Sequence, residues 1–216
     1  MALLITSLSP AEAQALLPQL HVLLHDAVDS GASVGFLPPL PAAEALHYWQ
    51  SVIAAVAAGS RVLLVARHSG QAGLLGTVQL DLATRPNSLH RAEVSKLLVH
   101  RRARRQGVAR QLLLALEDQA RQLARTTLVL DTRHGDIAEQ LYQKTGYHFV
   151  GLIPEYFLNS DRQLHATAVY YKLLELAIDE KLRVLPPIVA VRNPGFTTAL
   201  ARSCPVRGTR RVDGRQ

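Results

Sequence analysis

Apolar and polar positions alternate or recur along residues 3–173 in a way that divides the chain into short elements. Leu3 to Ser7 reads as a first strand. Ser9-Pro10-Ala11-Glu12 is a capping box with proline at the first helical position, which starts a helix efficiently. Leu16, Leu17, Leu20, Leu23, Leu24 and Val28 then form a buried stripe that runs towards Gly31. After the loop GASVGFLPPL, Leu46, Trp49, Ile53 and Val56 recur every three or four residues. They predict a second helix from Pro41 to Ala58, stopped by Gly59. Arg61–Arg67 and Leu74–Leu82 flank the turn HSGQAG and predict an antiparallel hairpin.

Residues 92–113, AEVSKLLVHRRARRQGVARQLL, organise the remainder. Val94, Lys96, Leu97, Leu98 and Val99 read as a mostly apolar strand. A run of arginines leads to Gly107, and from Val108 apolar residues return at helical spacing through Leu112, Leu116, Ala120 and Leu123. A strand that passes through a basic, glycine-containing turn into a helix suits an anion. Backbone N–H groups at the helix start point outward, and the helix dipole favours negative charge there. Glycine lets the chain turn tightly and a phosphate approach the main chain. Beyond it come a strand at Thr127–Asp131, a third long helix opened by the capping box Asp136-Ile137-Ala138-Glu139 and stopped by Gly146, and strands at 147–151 and 167–173. The order β-α-α-β-β-β-α-β-α-β-β predicts an α/β fold with a mixed sheet and helices on both faces.

Composition adjusts this picture in three places. The chain has 216 residues, 48% hydrophobic and 19% charged, which suits one domain with a core and an extension. The domain is expected at 1–175 and a basic, flexible extension at 176–216. The net charge of +7 is uneven: residues 177–216 hold eight Lys and Arg against three Asp and Glu, so most of the excess lies there and nucleic acid is not an expected partner. Cys204 is the single cysteine, which excludes an intrachain disulfide and a cysteine-rich zinc site. Neither a signal sequence nor an 18-residue apolar span is evident, so the expectation is a cytoplasmic protein without a membrane segment.

The spacing Arg104-x-x-Gly107-x-Ala109 resembles the pyrophosphate-binding motif of the GCN5-related N-acetyltransferases (GNAT). Within that superfamily, GASVGF at 31–36, RAEVSKLLV at 91–99, LDT at 130–132, GDIAEQLYQKTGY at 135–147 and LHATAVYYK at 164–172 are similar to segments of the tabtoxin-resistance type. The resemblance covers residues 3 to 174. It implies a mostly antiparallel GNAT sheet, acetyl-CoA as co-substrate, no metal, and transfer of the acetyl group to a small-molecule amine, such as an amino-acid-like toxin of the tabtoxinine-β-lactam kind. Toxin resistance would be the role, in a monomer or homodimer. A peptide or protein amine is the alternative acceptor.

The same resemblance implies roles for particular residues. Backbone groups of Leu97, Leu98 and Val99 would pair with the pantetheine arm, and the loop Arg104, Arg105, Gln106, Gly107, Val108, Ala109 and Arg110 would hold the pyrophosphate. Lys144 is a candidate contact to a coenzyme phosphate, against a solvated helix lysine. A free alkylamine, with a pKa of about 10, must lose a proton before it attacks. Asp131, at the end of a strand diverging from 94–99, is the candidate base, direct or through water; Glu93 is its rival. Tyr142 would protonate the departing thiolate, against a reading as a helix wall residue. Ser33, Val34 and Phe36 would line the acceptor pocket, with Trp49 and Glu93 near enough to contact the substrate and the loop 155–165 opposite.

Other classes find less support. Gly31-x-Ser33-x-Gly35 matches a hydrolase nucleophile elbow, but helical periodicity precedes the serine where a strand is required. His21 and His25 stand four apart without the glutamate and third ligand of a zinc helix. The arginine cluster would suit nucleic acid only with aromatic platforms or a docking helix, and aromatics are 5% of the chain. A non-catalytic acyl-CoA-binding module is the remaining alternative.

Overall fold

Seven strands hydrogen-bond into one sheet in the computed structural model, which describes residues 2–70 and 72–175. In chain order they are β1 (Leu3–Ser7), β2 (Arg61–His68), β3 (Gly76–Leu82), β4 (Arg91–Val99), β5 (Thr127–Arg133), β6 (His148–Leu158) and β7 (Leu164–Leu173). The helices are α1 (Pro10–Ala15), α2 (Leu17–Asp29), α3 (Ala42–Ala57), α4 (Val108–Gln122) and α5 (Ile137–Lys144). Across the sheet the order is β1-β2-β3-β4-β5-β7-β6, antiparallel throughout except for β4 and β5, which run parallel. This is the expected mixed, mostly antiparallel α/β sheet. The expected domain boundary after residue 175 and the extension 176–216 lie outside the described residues. No helix of the described residues is long and apolar enough to cross a membrane.

Strand alternation sorts the core into two layers. Leu64 and Ala66, Val78 and Leu80, Ala92 and Val94, and Leu128 and Leu130 pack under Val108, Leu112, Leu113 and Leu116 of α4. Leu63 and Val65 point the other way, onto Leu20, Leu23 and Leu24 of α2 and Trp49 and Val52 of α3. Fully burying one such leucine stabilises the fold by about 1.5–3 kcal/mol.

Four elements differ from the sequence expectation. The first helix is two: α1 ends at Ala15 and α2 begins at Leu17, with Leu16 at φ −90°, ψ 2° between them. Pro18 explains the break, because it lacks the N–H that would continue the ladder and its ring crowds the preceding turn. In α3 the buried face is Ala45, Trp49 and Val52, while Leu46 is exposed. A small alanine allows closer approach than leucine, so the helix is rotated by one position. The expected long third helix is only Ile137–Lys144. Asp136 caps it by accepting from the Ala138 N–H at 3.0 Å, but Glu139 does not return the bond; it accepts from Gly135 N–H and the Tyr170 hydroxyl instead. The strand expected at 147–151 extends to Leu158, so part of the expected loop 155–165 is sheet.

Candidate active site

β4 and β5 stay together for only three residues, Arg91–Glu93 against Thr127–Val129. Each strand then follows its other neighbour: β4 continues along β3 to the pair Val99–Gly76, and β5 along β7 to Arg133–Thr167. A gap opens between them, and the β5-facing edge of residues 94–99 has no partner strand among the described residues.

A bulge in β4 shapes that gap. The pairing with β3 shifts register between Thr77 and Gln79, and Lys96 takes the left-handed φ of +49°. The extra residue breaks the two-residue alternation. Ala92 and Val94 face α4, whereas after the bulge Leu98 lies in the α2–α3 layer and Leu97 packs on the α4 side. Ser95 and Lys96 therefore share one face, Ser95 bonding to Asp81 of β3 at 2.7 Å and Lys96 standing over the Tyr48 ring of α3.

A cavity of about 360 Å³ fills the gap. Glu93, Ser95, Lys96 and Leu97 of β4 form one wall, Asp131, Thr132 and Arg133 of β5 the other. Ala32, Ser33 and Val34 from the loop after α2 close one side, Asp136, Ala138 and Tyr142 another, and Tyr156 and Phe157 of β6 reach the rim. The sequence thus placed Glu93, Asp131, Tyr142, Ser33, Val34 and Leu97 in segments that meet here. Leu98 and Val99 continue the same strand edge, with the Leu98 side chain buried in the core. Phe36, expected in the lining, is not part of it; it packs edge-on against Tyr48, with ring centroids 5.2 Å apart.

Trp49 requires a correction. It is 0% exposed and packed among Leu20, Leu24 and Val52, so it belongs to the core beneath the pocket and does not line it. Its place in the α3 stripe is the physical reason: the face that meets the sheet cannot also meet an acceptor.

The charges around the cavity are coupled. Asp81 is held by Arg61 as well as by Ser95, and Arg61 also reaches Gln79 at 3.1 Å. Gln79 donates to the Tyr48 hydroxyl at 2.8 Å, and burial pushes that phenol up to about 12. Glu93 stands opposite Asp81 in the strand register. Desolvation, then the charges of Asp81 and Asp131, raise its carboxyl above the usual glutamate range. Asp131 accepts a hydrogen bond from the Thr167 hydroxyl at 2.8 Å. Burial, followed by the carboxylates of Asp136 and Asp131, raises the Tyr142 phenol far above its ordinary value. Tyr142 is therefore protonated at neutral pH.

The arginine loop lies at the end of the same gap. Gly107 takes φ +79° and precedes α4. The first helical bond there runs from Gln111 N–H to the Gly107 carbonyl, at 3.0 Å, so the N–H groups of Val108, Ala109 and Arg110 remain for an outside acceptor. Two arginines, although exposed, are tied to the end of α2. Arg101 binds the carboxylate of Asp26 through its backbone N–H, at 2.9 Å, and through Nε, at 2.5 Å. Arg104 donates to the Val99 carbonyl at 3.3 Å and to Ser30 Oγ at 2.5 Å. Arg102, Arg105, Gln106 and Arg110 are exposed. Lys144 is exposed in the last turn of α5, away from the cavity lining.

Asp26 was not among the expected functional residues. It is 7% exposed on α2; burial alone would raise its carboxyl, but Arg101 and His100 outweigh this and hold it low. Its signal was available: a carboxylate on the apolar stripe of Leu23, Ala27 and Val28 needs a partner. Lys96 was also missed as a site side chain. Two consecutive polar residues, Ser95-Lys96, inside an apolar strand marked the bulge.

These features fit a nucleotide thioester: an open strand edge for an amide-bearing arm, helix-start N–H groups for phosphates, and ionisable groups where the edge meets the cavity. Solved structures share the fold. A ribosomal-protein-alanine N-acetyltransferase from Brucella melitensis is 23% identical, with 79% of this chain and 99% of that chain covered and a TM-score of 0.63. An N-acetyltransferase from Staphylococcus aureus Mu50 is 20% identical over 81% of this chain and 100% of that chain, with a TM-score of 0.65. A structure from Salmonella typhimurium, described with its cofactor acetyl-CoA, is 17% identical over 82% and 96% of the two chains, with a TM-score of 0.64. The family model described as the acetyltransferase (GNAT) family matches residues 26–147, from the Asp26 anchor through both parting strands to Tyr147. That match spans more than half of the chain, and the chain accordingly belongs to the acetyltransferase (GNAT) family, as an acetyl-CoA-dependent N-acetyltransferase.

Proposed function

We propose that the cavity between β4 and β5 acetylates a small-molecule amine, with an amino-acid-like toxin of the tabtoxinine-β-lactam kind as one acceptor to test. The observation that carries this reading is the convergence of Glu93, Asp131 and Tyr142 on one cavity at the mouth of the strand gap. The segments around Ser33, Glu93, Asp131, Tyr142 and Thr167 are also those that resemble the tabtoxin-resistance type.

Acetyl-CoA supplies the acetyl group as a thioester. The open edge of Leu97, Leu98 and Val99 holds the pantetheine arm, and the N–H groups of Val108, Ala109 and Arg110, with Arg105 beside them, hold the pyrophosphate. Arg104 acts on this loop from behind by tying it to Ser30. Glu93 is the better base, because its raised carboxyl accepts a proton more readily than an ordinary glutamate and has no hydrogen-bond partner among the described residues. Asp131, steadied by Thr167, draws the acceptor's ammonium into the gap and raises Glu93. Tyr142 gives its proton to the sulfur as the thioester bond breaks. The ammonium loses one proton to Glu93 before it attacks. The nitrogen loses a second as the adduct collapses to the amide, and that proton restores the Tyr142 phenol. The products are amide and thiol, with one net proton released from Glu93 to solvent.

A protein N-terminal amine is the second reading, because the Brucella structure is described as a ribosomal-protein-alanine N-acetyltransferase. Thiol release from acetyl-CoA, measured across small amines, amino acids and peptides, tests both. Turnover confined to peptides would replace the small-molecule reading, and acetyl-CoA binding without turnover on any amine would leave a non-catalytic module.

A further inference from the structure

Two other cations at or near the cavity have anionic or carbonyl partners among the described residues. Arg61 is paired with Asp81, and Arg133 with Asp136 at 2.9 Å and with the Gly31 carbonyl at 3.3 Å. Lys96 differs. Its ammonium makes no hydrogen bond or ion pair among the described residues; the half-buried side chain lies in the cavity wall, where burial disfavours its charge and the more distant carboxylates of Asp81, Asp131 and Glu93 favour it. The Tyr48 ring is 5.9 Å from Nζ on one side, and the loop approaches it at Gly35, where an added Cβ would stand 3.8 Å from Nζ. The bulge keeps Lys96 in a left-handed backbone conformation that only a few per cent of non-glycine residues adopt. Without that bulge the side chain would face α4 and the core. Backbone strain of this sort persists where the surroundings over-determine it, commonly in ligand sites.

An unpartnered ammonium held between an aromatic face and a loop main chain is costly unless a ligand completes it. The same cavity carries Glu93 and Asp131, which suit a cationic group. We infer that Lys96 selects acceptors that carry a carboxylate: the amine sits between Glu93 and Asp131, and the carboxylate on the Lys96 ammonium. The enzyme thus reads a zwitterion. Gly35 serves the same end, because it leaves room beside Nζ for the incoming oxygens. This assignment rests on the proposed acetylation of small amines in this cavity and narrows its substrate class.

The test uses the full chain, acetyl-CoA, and ω-amino acids from glycine up to aminohexanoate, each matched with its amide. At one chain length the acid is expected to exceed its amide in kcat/KM by about tenfold or more, as a charged hydrogen-bonded pair supplies. Lys96→Met is expected to bring the acid down to the level of the amide, chiefly through KM, and Lys96→Arg to restore part of the preference. Calorimetry with acetyl-CoA on each variant shows that the fold and the donor site survive. Acids and amides acetylated alike at every length would overturn the assignment. So would a Lys96→Met protein that loses both members of a pair by the same factor, or acetyl-CoA binding with no acid acetylated. If acetyl-CoA itself gave no heat with the unaltered protein, the acetylation reading would fail along with it.

Discussion

The two ends of the strand gap are built differently. The proposed anion end, from Val99 to Arg110, is one uninterrupted stretch of chain in which strand, turn and helix start follow directly. The acceptor end takes Ser33 from a loop, Glu93 and Lys96 from β4, Asp131 from β5, Tyr142 from α5 and Tyr156 from β6. A contiguous site depends on local backbone conformation, whereas a dispersed one depends on how strands register and part. The two ends should therefore respond differently to substitution.

Tyr142→Phe is expected to give the largest effect. Loss of a positioned proton donor lowers kcat by about 10²–10⁴-fold, while calorimetric affinity for acetyl-CoA stays within the error of the unaltered protein. Unchanged turnover would remove Tyr142 from the chemistry. The converse pattern belongs to the anion end. Gly107→Val forces a β-branched residue to φ +79°; strain of about 1–3 kcal/mol should weaken acetyl-CoA binding by about tenfold to a hundredfold. Retained affinity would mean that the phosphates sit elsewhere.

Asp26→Asn sharpens the comparison, because Asp26 lies on α2 but holds the loop through Arg101. Exchange of a charged acceptor for a neutral one should cost about 1–3 kcal/mol of stability, read as a fall in denaturant midpoint, with a smaller loss of acetyl-CoA affinity. A variant as stable as the parent would show that the loop does not lean on α2. The smallest effect is a pH shift. With Glu93 as the base, kcat/KM rises as Glu93 deprotonates, and because its carboxyl is raised the acidic limb falls above the ordinary glutamate range. Glu93→Gln should remove that limb. A limb that persists in the variant would move the base to Asp131.

Much of the anion end was legible because its signals are short-range. Gly107 followed by helical periodicity announces a turn and a helix start, and the structure has both, with Gly107 at φ +79°. What the arginines do was not legible. Arg104 reads as a phosphate ligand, yet it and its neighbour Arg101 hydrogen-bond to Ser30 and Asp26, 74 and 75 positions earlier in the chain. Trp49 was misplaced for a related reason. Helical spacing says that a stripe is buried but leaves open which residue sits at its centre, and packing against the sheet chose Ala45, Trp49 and Val52. Pro18 was a readable break that the long leucine stripe concealed.

The chain's own pattern determined the order of strands and helices, the turn at Gly107 and the buried alternation on both faces of the sheet, since each depends on neighbours within a few residues. The family resemblance implied that β4 and β5 part, but tertiary structure alone decided that they do so after three pairs and that a bulge turns Lys96 into the gap. It likewise decided that carboxylates from two strands and a phenol from a helix share one cavity. Those outcomes depend on which strand each edge prefers and on register between distant segments, and no local spacing encodes them.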